Sequence, residues 1–202
     1  MSQSASTQMG HNQLGTLPVW DLSDLYSGND SAELKADLDA ARKEAKAFEA
    51  DYKGKLEGLA RNGGLLKAIK RLEALNDLTG KIGSYAFLQY VRNPQEPDKV
   101  KFLGDTSQAL TDLSTGLIFF SLELNRIDER IVNDAFAADA ALAHYKPWFD
   151  EVRKAKPYQL DDKIEELFHE KSVTGAAAWN RLFDETMASL KFDVDGEELG
   201  LE

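Results

Sequence analysis

The chain has no cysteine among its 202 residues. That excludes disulfide frameworks, thiolate zinc sites and thiol catalysis, and it is compatible with a reducing compartment. Proline occurs five times and histidine three times, so long helices can run with few interruptions and histidine-based metal clusters have little to draw on. No apolar run reaches transmembrane length, and the first sixteen residues are polar, without the basic start and apolar core of a signal sequence. Positive charge is scarce too. A net charge of -11 disfavours nucleic acid and anionic membrane as partners, because both reward a concentrated positive surface. A soluble intracellular protein is the expectation.

Apolar material is ample. At 43% hydrophobic residues, a chain of this length can bury one substantial core or two small ones without metals or disulfides. Met1 to Gly15 is rich in Ser, Gln, Gly and Asn and has too few apolar side chains to offset the entropy of ordering it, so residues 1–16 read as a disordered lead-in. The fold is expected to begin near Leu17, with Trp20, Leu22, Leu25 and Tyr26 as its first apolar anchors and Asp21 and Ser23 capping short turns.

From Ser31 the pattern becomes helical. Leu34, Leu38, Ala41, Ala45, Phe48 and Tyr52 recur at steps of three and four, and the pattern stops near Lys53-Gly54. A second helix is predicted from about Gly64 to Val91, striped by Leu65, Ile69, Leu72, Leu75, Leu78, Ile82, Tyr85 and Leu88; Asn93 to Pro97 ends it. A third, starting near Glu96, carries Leu103, Thr106, Leu110, Leu113, Leu117, Phe120 and Leu124 in unbroken period. Each of these two should be roughly 40 Å long. Their short connection makes them an antiparallel pair, the spine of an all-α bundle.

Shorter helices follow, near Asp128 to Ala137 and from Asp139 to about Ala155, with Pro147 kinking the latter or marking its start. Leu160 to Lys171 is amphipathic through Ile164, Leu167 and Phe168. Thr174 is placed to cap a last helix bearing Trp179, Leu182, Phe183 and Met187. The period then changes to two: Leu190, Phe192 and Val194 alternate with charged residues, and Asp195-Gly196 offers a hairpin turn into Glu197 to Leu201. A lone hairpin is marginal in water, so residues 189–202 are expected to begin the next part of a longer parent, after a helical domain at 17–188.

Chemistry is sparse. Glu166-Leu167-Phe168-His169 forms an E-x-x-H pair on one helix face, with Glu165 beside it, but a di-iron bundle needs a second such pair. None exists: His144 follows Ala141 by three, and His11 lies in the lead-in. A solvated helix face carrying His169 is the expectation. His169-Glu170 also begins like an H-E-x-x-H zinc helix, yet Val173 stands where the second histidine belongs. No G-x-S-x-G elbow is present. Arg61-Asn62-Gly63-Gly64 lacks P-loop spacing and reads as a helix start. Tyr145, Trp148, Phe149, Tyr158, Phe168 and Trp179 are expected mostly to pack in the core, and the acidic run Asp161, Asp162, Glu165, Glu166 to complement a helix N-terminus. No catalytic, cofactor-binding or metal-ligating residue is assigned.

Several segments resemble the oligoendopeptidase F family. They are Leu17-Pro18-Val19-Trp20-Asp21-Leu22-Ser23-Asp24-Leu25-Tyr26, Tyr85 to Tyr90, Leu160 to Leu167, and Thr174 to Glu185. The resemblance implies a mostly helical, cytoplasmic zinc metallopeptidase that cuts short peptides, with an amino-terminal helical region enclosing a cleft. The family's zinc helix, with two histidines and a glutamate, and its later glutamate ligand map onto no position here. Zinc is therefore expected in a parent protein and not in this chain, whose partners would be the rest of the catalytic domain and short peptides. This chain alone should be inactive, a scaffold and cleft wall that can self-associate through apolar surface its parent covers. The competing reading is a self-contained helical interaction module that holds a partner helix.

Overall fold

Ser31 opens the first helix. Its hydroxyl accepts a hydrogen bond from Leu34 N–H at 3.2 Å, and α1 then runs Ala32–Tyr52. The structure, a computed structural model, describes residues 20–200. The expected lead-in at 1–16, the start at Leu17 and the hairpin's Leu201 lie outside those residues.

The next element was not foreseen. A short helix α2, Leu56–Asn62, follows α1 and ends on Gly63, whose φ of 79° satisfies a left-handed cap that favours glycine. Gly64 starts α3, Leu65–Val91, and a Cβ there would meet Leu59 Cδ2 at 2.6 Å, so a larger residue at the α2–α3 corner would have to displace the end of the Leu59 side chain. At 27 residues α3 is about 40 Å long.

Pro97 begins α4, Pro97–Thr115, where its missing N–H costs nothing. The expected single third helix is broken: Gly116 to Ile118 form a turn and α5 restarts at Phe119–Arg126. Ser114 and Thr115 hydroxyls both donate to Thr111 O, competing with the backbone ladder just before a poor helix former. Glu49 Oε2 would sit 3.4 Å from a Cβ on Gly116, so α1 approaches the backbone here. α4 is consequently only about 29 Å long. The expected antiparallel α3–α4 pair is present and is the most closely associated pair of elements.

Three short helices complete the body: α6 Glu129–Ala138, α7 Ala140–Ala143 and α8 Lys146–Arg153. Asp128 and Asp139 cap α6 and α7 through their carboxylates, and Pro147 falls in the first turn of α8, marking its start. A single 3-10 turn, Lys156–Tyr158, leads to α9, Asp162–Lys171, capped by Asp161, and then to α10, Ala176–Ser189. Gly175, not Thr174, is the residue before α10; the Thr174 hydroxyl instead donates to Lys171 O. Two strands, β1 Phe192–Val194 and β2 Glu197–Leu199, pair antiparallel across Asp195-Gly196 with φ of 57° and 85°, as a two-residue hairpin turn requires. The fold is mainly α with a carboxy-terminal β-hairpin, as expected.

Two apolar cores hold the body. The larger gathers Phe48, Leu56, Leu65, Ile69, Leu75, Phe120, Leu124, Ile127 and Phe149, all nearly inaccessible. The smaller joins Leu22, Tyr26 and Leu34 to Ile82 and Tyr85, with the Tyr26 and Tyr85 rings edge-on at 5.2 Å. Tyr26 O–H donates to Asp37 at 2.8 Å; burial first, and Asp37 second, push this phenol above its ordinary range. Trp20, expected among the anchors, is instead exposed.

Candidate functional site

The last helices differ in kind from the body. α9 and α10 contain no buried residue, although both carry an apolar stripe at helical spacing. Tyr158 is 82% exposed, Phe168 63%, Trp179 71% and Phe183 63%. The expectation that most of the aromatic group would be core is therefore corrected: only Phe149 is buried, Tyr145 is half-buried, and Trp148 and the other three face outward. Periodicity identified the faces; no element of the described chain covers those of α9 and α10.

Two polar contacts fasten α9. Asp162 is clamped by both terminal nitrogens of Arg126 on α5, and that hydrogen bond holds its carboxyl below the ordinary aspartate range against a smaller opposing effect of burial. His169 Nε2 lies 2.7 Å from Ser114 Oγ on α4. His169 is thus half-buried against α4 and not on a solvated face. α10 has no comparable packing partner; its main polar link is Gln95 Nε2, which donates to Ala188 O.

The hairpin is exposed along both strands. Phe192 stands opposite Leu199 and Val194 opposite Glu197, so these four share one face; Asp193 and Glu198 oppose each other on the other. Asp193 also accepts Gly196 N–H at 2.9 Å, bracing the turn.

Candidates for chemistry are placed as follows. Glu166 and His169 lie on α9, but the imidazole is engaged by Ser114, and among the described residues no three His, Asp or Glu side chains gather where they could hold a metal ion. These residues do not fit zinc. Arg61 to Gly64 form the α2–α3 corner, with Arg61 paired to Glu57. A groove of about 490 Å³ between α1 and α4 has Arg42, Lys46, Glu49, Asp105 and Asp112 on its walls over Ala45 and Leu113. It holds charges of both signs and no nucleophile beside a base.

Sequence reasoning missed Arg126, Ser114 and Glu123, the residues that fasten the elements together. Glu123, between Leu122 and Leu124, and Ser114, next to Leu113, stand out as polar residues beside apolar ones; Arg126, in Asn125-Arg126-Ile127-Asp128, carries no such signal.

Residues 123–192, from within α5 to the first residue of β1, match the family model described as Oligopeptidase F. This stretch is similar to the amino-terminal part of oligopeptidase F. The matched region contains all of α9 and α10, so the uncovered apolar faces lie within the part of the chain that resembles that family. No curated protein and no solved structure matches the chain. Among the described residues no helix is long and apolar enough to cross a membrane.

Proposed function

We propose that this chain is the amino-terminal helical domain of an oligopeptidase F-like zinc metallopeptidase that hydrolyses short peptides in the cytoplasm. Within that parent its own task is structural: the body of α1 to α8 is a scaffold, and α9, α10 and the hairpin dock on the remainder of the enzyme to wall its cleft. Residues 189–202 then belong to the next part of the parent. The observation that carries this reading is the coincidence of the family match with the helices whose apolar faces are left uncovered. A soluble domain rarely exposes that much aromatic surface unless something binds it.

Zinc and the water-activating glutamate are assigned to the parent outside Met1–Glu202, since the chain has no H-E-x-x-H. When bound there, zinc would supply Lewis acidity and an activated water. The direct experiment is to read the coding sequence beyond Glu202 for H-E-x-x-H and to assay the longer protein on a quenched peptide. A longer protein with the motif and zinc-dependent turnover supports the proposal. An open reading frame that stops without the motif rejects it.

A further inference from the structure

The apolar side chains of the α9–α10–hairpin segment sit among an excess of carboxylates. Residues 160–200 carry eleven Asp and Glu against four Lys and Arg, a net of -7 within a chain of -11. Arg181 is paired with Glu185, while the segment's carboxylates Glu170, Asp184, Asp193 and Glu198 are exposed without a salt-bridge partner among the described residues. In the hairpin, Asp193 lies directly opposite Glu198. Like charges at such a position destabilise a strand pair, and a cation placed over them relieves it.

The exposed area is large enough for a stable contact. Phe168, Trp179, Phe183 and Phe192 are between 46% and 71% exposed, which leaves roughly 360 to 610 Å² of aromatic surface in solvent at 150–250 Å² per residue. A standard interface takes about 800 Å² from each partner, and the exposed Leu160, Leu167 and Leu182 add to this. A second copy is a poor occupant, because a symmetric contact would set a net of -7 against itself. Association of copies should emerge only as salt screens that repulsion.

We infer that the α9–α10–hairpin segment docks on a polypeptide surface that is apolar at its centre and rimmed by lysine and arginine. This rests on the reading of the segment as an interface within a larger peptidase, and it adds the chemistry of the opposing surface. The apolar centre covers Phe168, Trp179 and Phe183; the basic rim answers Glu170, Asp184 and the Asp193–Glu198 pair.

The test uses the full chain and three fluorescein-labelled probes: an amphipathic Leu/Lys helical peptide, its Leu/Glu counterpart, and a Lys-rich peptide without leucine. Anisotropy titrations should give the Leu/Lys probe a Kd at least about tenfold below either of the others, and added salt should weaken it. D184K with E198K should abolish most of that preference. D30K with D39K, an equal charge change on exposed positions at and near α1, should leave it in place. Circular dichroism confirms that all variants fold, and W179S with F183S gives a second, charge-neutral route to the same loss.

Equal affinity for all probes, or equal loss in both charge-reversed pairs, would overturn the inference, since it would reduce binding to overall charge. A homodimer in sedimentation whose tightness does not depend on salt would assign the surface to a second copy and overturn it as well. The parent reading is tested separately by the longer protein. Zinc-dependent turnover there, with no probe preference here, would reject the charge matching alone.

Discussion

Glu123 and Gly54, 69 positions apart, meet at 2.6 Å: the carboxylate on α5 accepts the Gly54 N–H and, through its second oxygen, the Leu56 N–H at 3.4 Å. One side chain thus caps the turn between α1 and α2, where Lys55 offers no side-chain cap. Glu123 is also the first residue of the family match, so it ties the matched region to the preceding half of the chain. Glu123→Ala should destabilise the protein by about 0.5 to 2 kcal/mol, the cost of losing a helix cap. Glu123→Gln, which keeps an accepting oxygen, should recover part of it. Urea melts of the three proteins measure this, and identical midpoints would dissociate the contact from stability.

Burial separates two classes of apolar side chain. Leu113 and Leu117 line the main core, so Leu113→Ala or Leu117→Ala should each cost about 2 to 5 kcal/mol. Trp179→Ser and Phe183→Ser, on the uncovered helix, should change stability by less than about 0.5 kcal/mol. Denaturant melts compare the four directly. A large loss from the α10 substitutions would mean that this face is already packed.

The Arg126–Asp162 clamp has an acid limb. Arg126 holds the Asp162 carboxyl below its ordinary value of 3.8 in the folded chain. The contribution is present above the unfolded value and is lost as pH falls through the lower, folded one. The α9–α5 contact should therefore weaken modestly at acid pH, since both side chains are half exposed, while α9 stays seated on α4 through His169 and Ser114. Following α9 with a fluorophore at an introduced cysteine should show an acid transition in the native chain that Asp162→Asn removes.

Sequence periodicity located the body well. α1 and α3 begin and end within a residue or so of their expected bounds, because their stripes are long and their caps, Ser31 and the Gly63-Gly64 corner, are chemically distinctive. The break after Thr115 was hidden since Leu117, Phe120 and Leu124 keep their spacing across the turn; only the Ser114-Thr115-Gly116 run hinted at it. α2 is seven residues with an internal Gly58, too short to display a period. For α9 and α10 the stripes were legible but their burial was not. A stripe says that a face seeks cover, and whether the cover lies in the same chain depends on residues elsewhere.

Metal chemistry gives a fourth expectation. Purified chain dialysed against zinc should retain no tightly bound equivalent and should not turn over a quenched peptide. His169 is held by Ser114 and no metal-holding cluster exists among the described residues. One bound equivalent together with turnover would contradict this.

Hydrogen exchange on the 202-residue chain, compared with a protein extended through the region beyond Glu202, tests most directly whether α9, α10 and the hairpin are an interface within a larger enzyme. Amides of 162–199 should exchange faster than those of α3 in the short chain, and at least about tenfold more slowly once the extension is present. Exchange in that segment that is already as slow as in α3, and unchanged by the extension, would contradict it and favour a self-contained module.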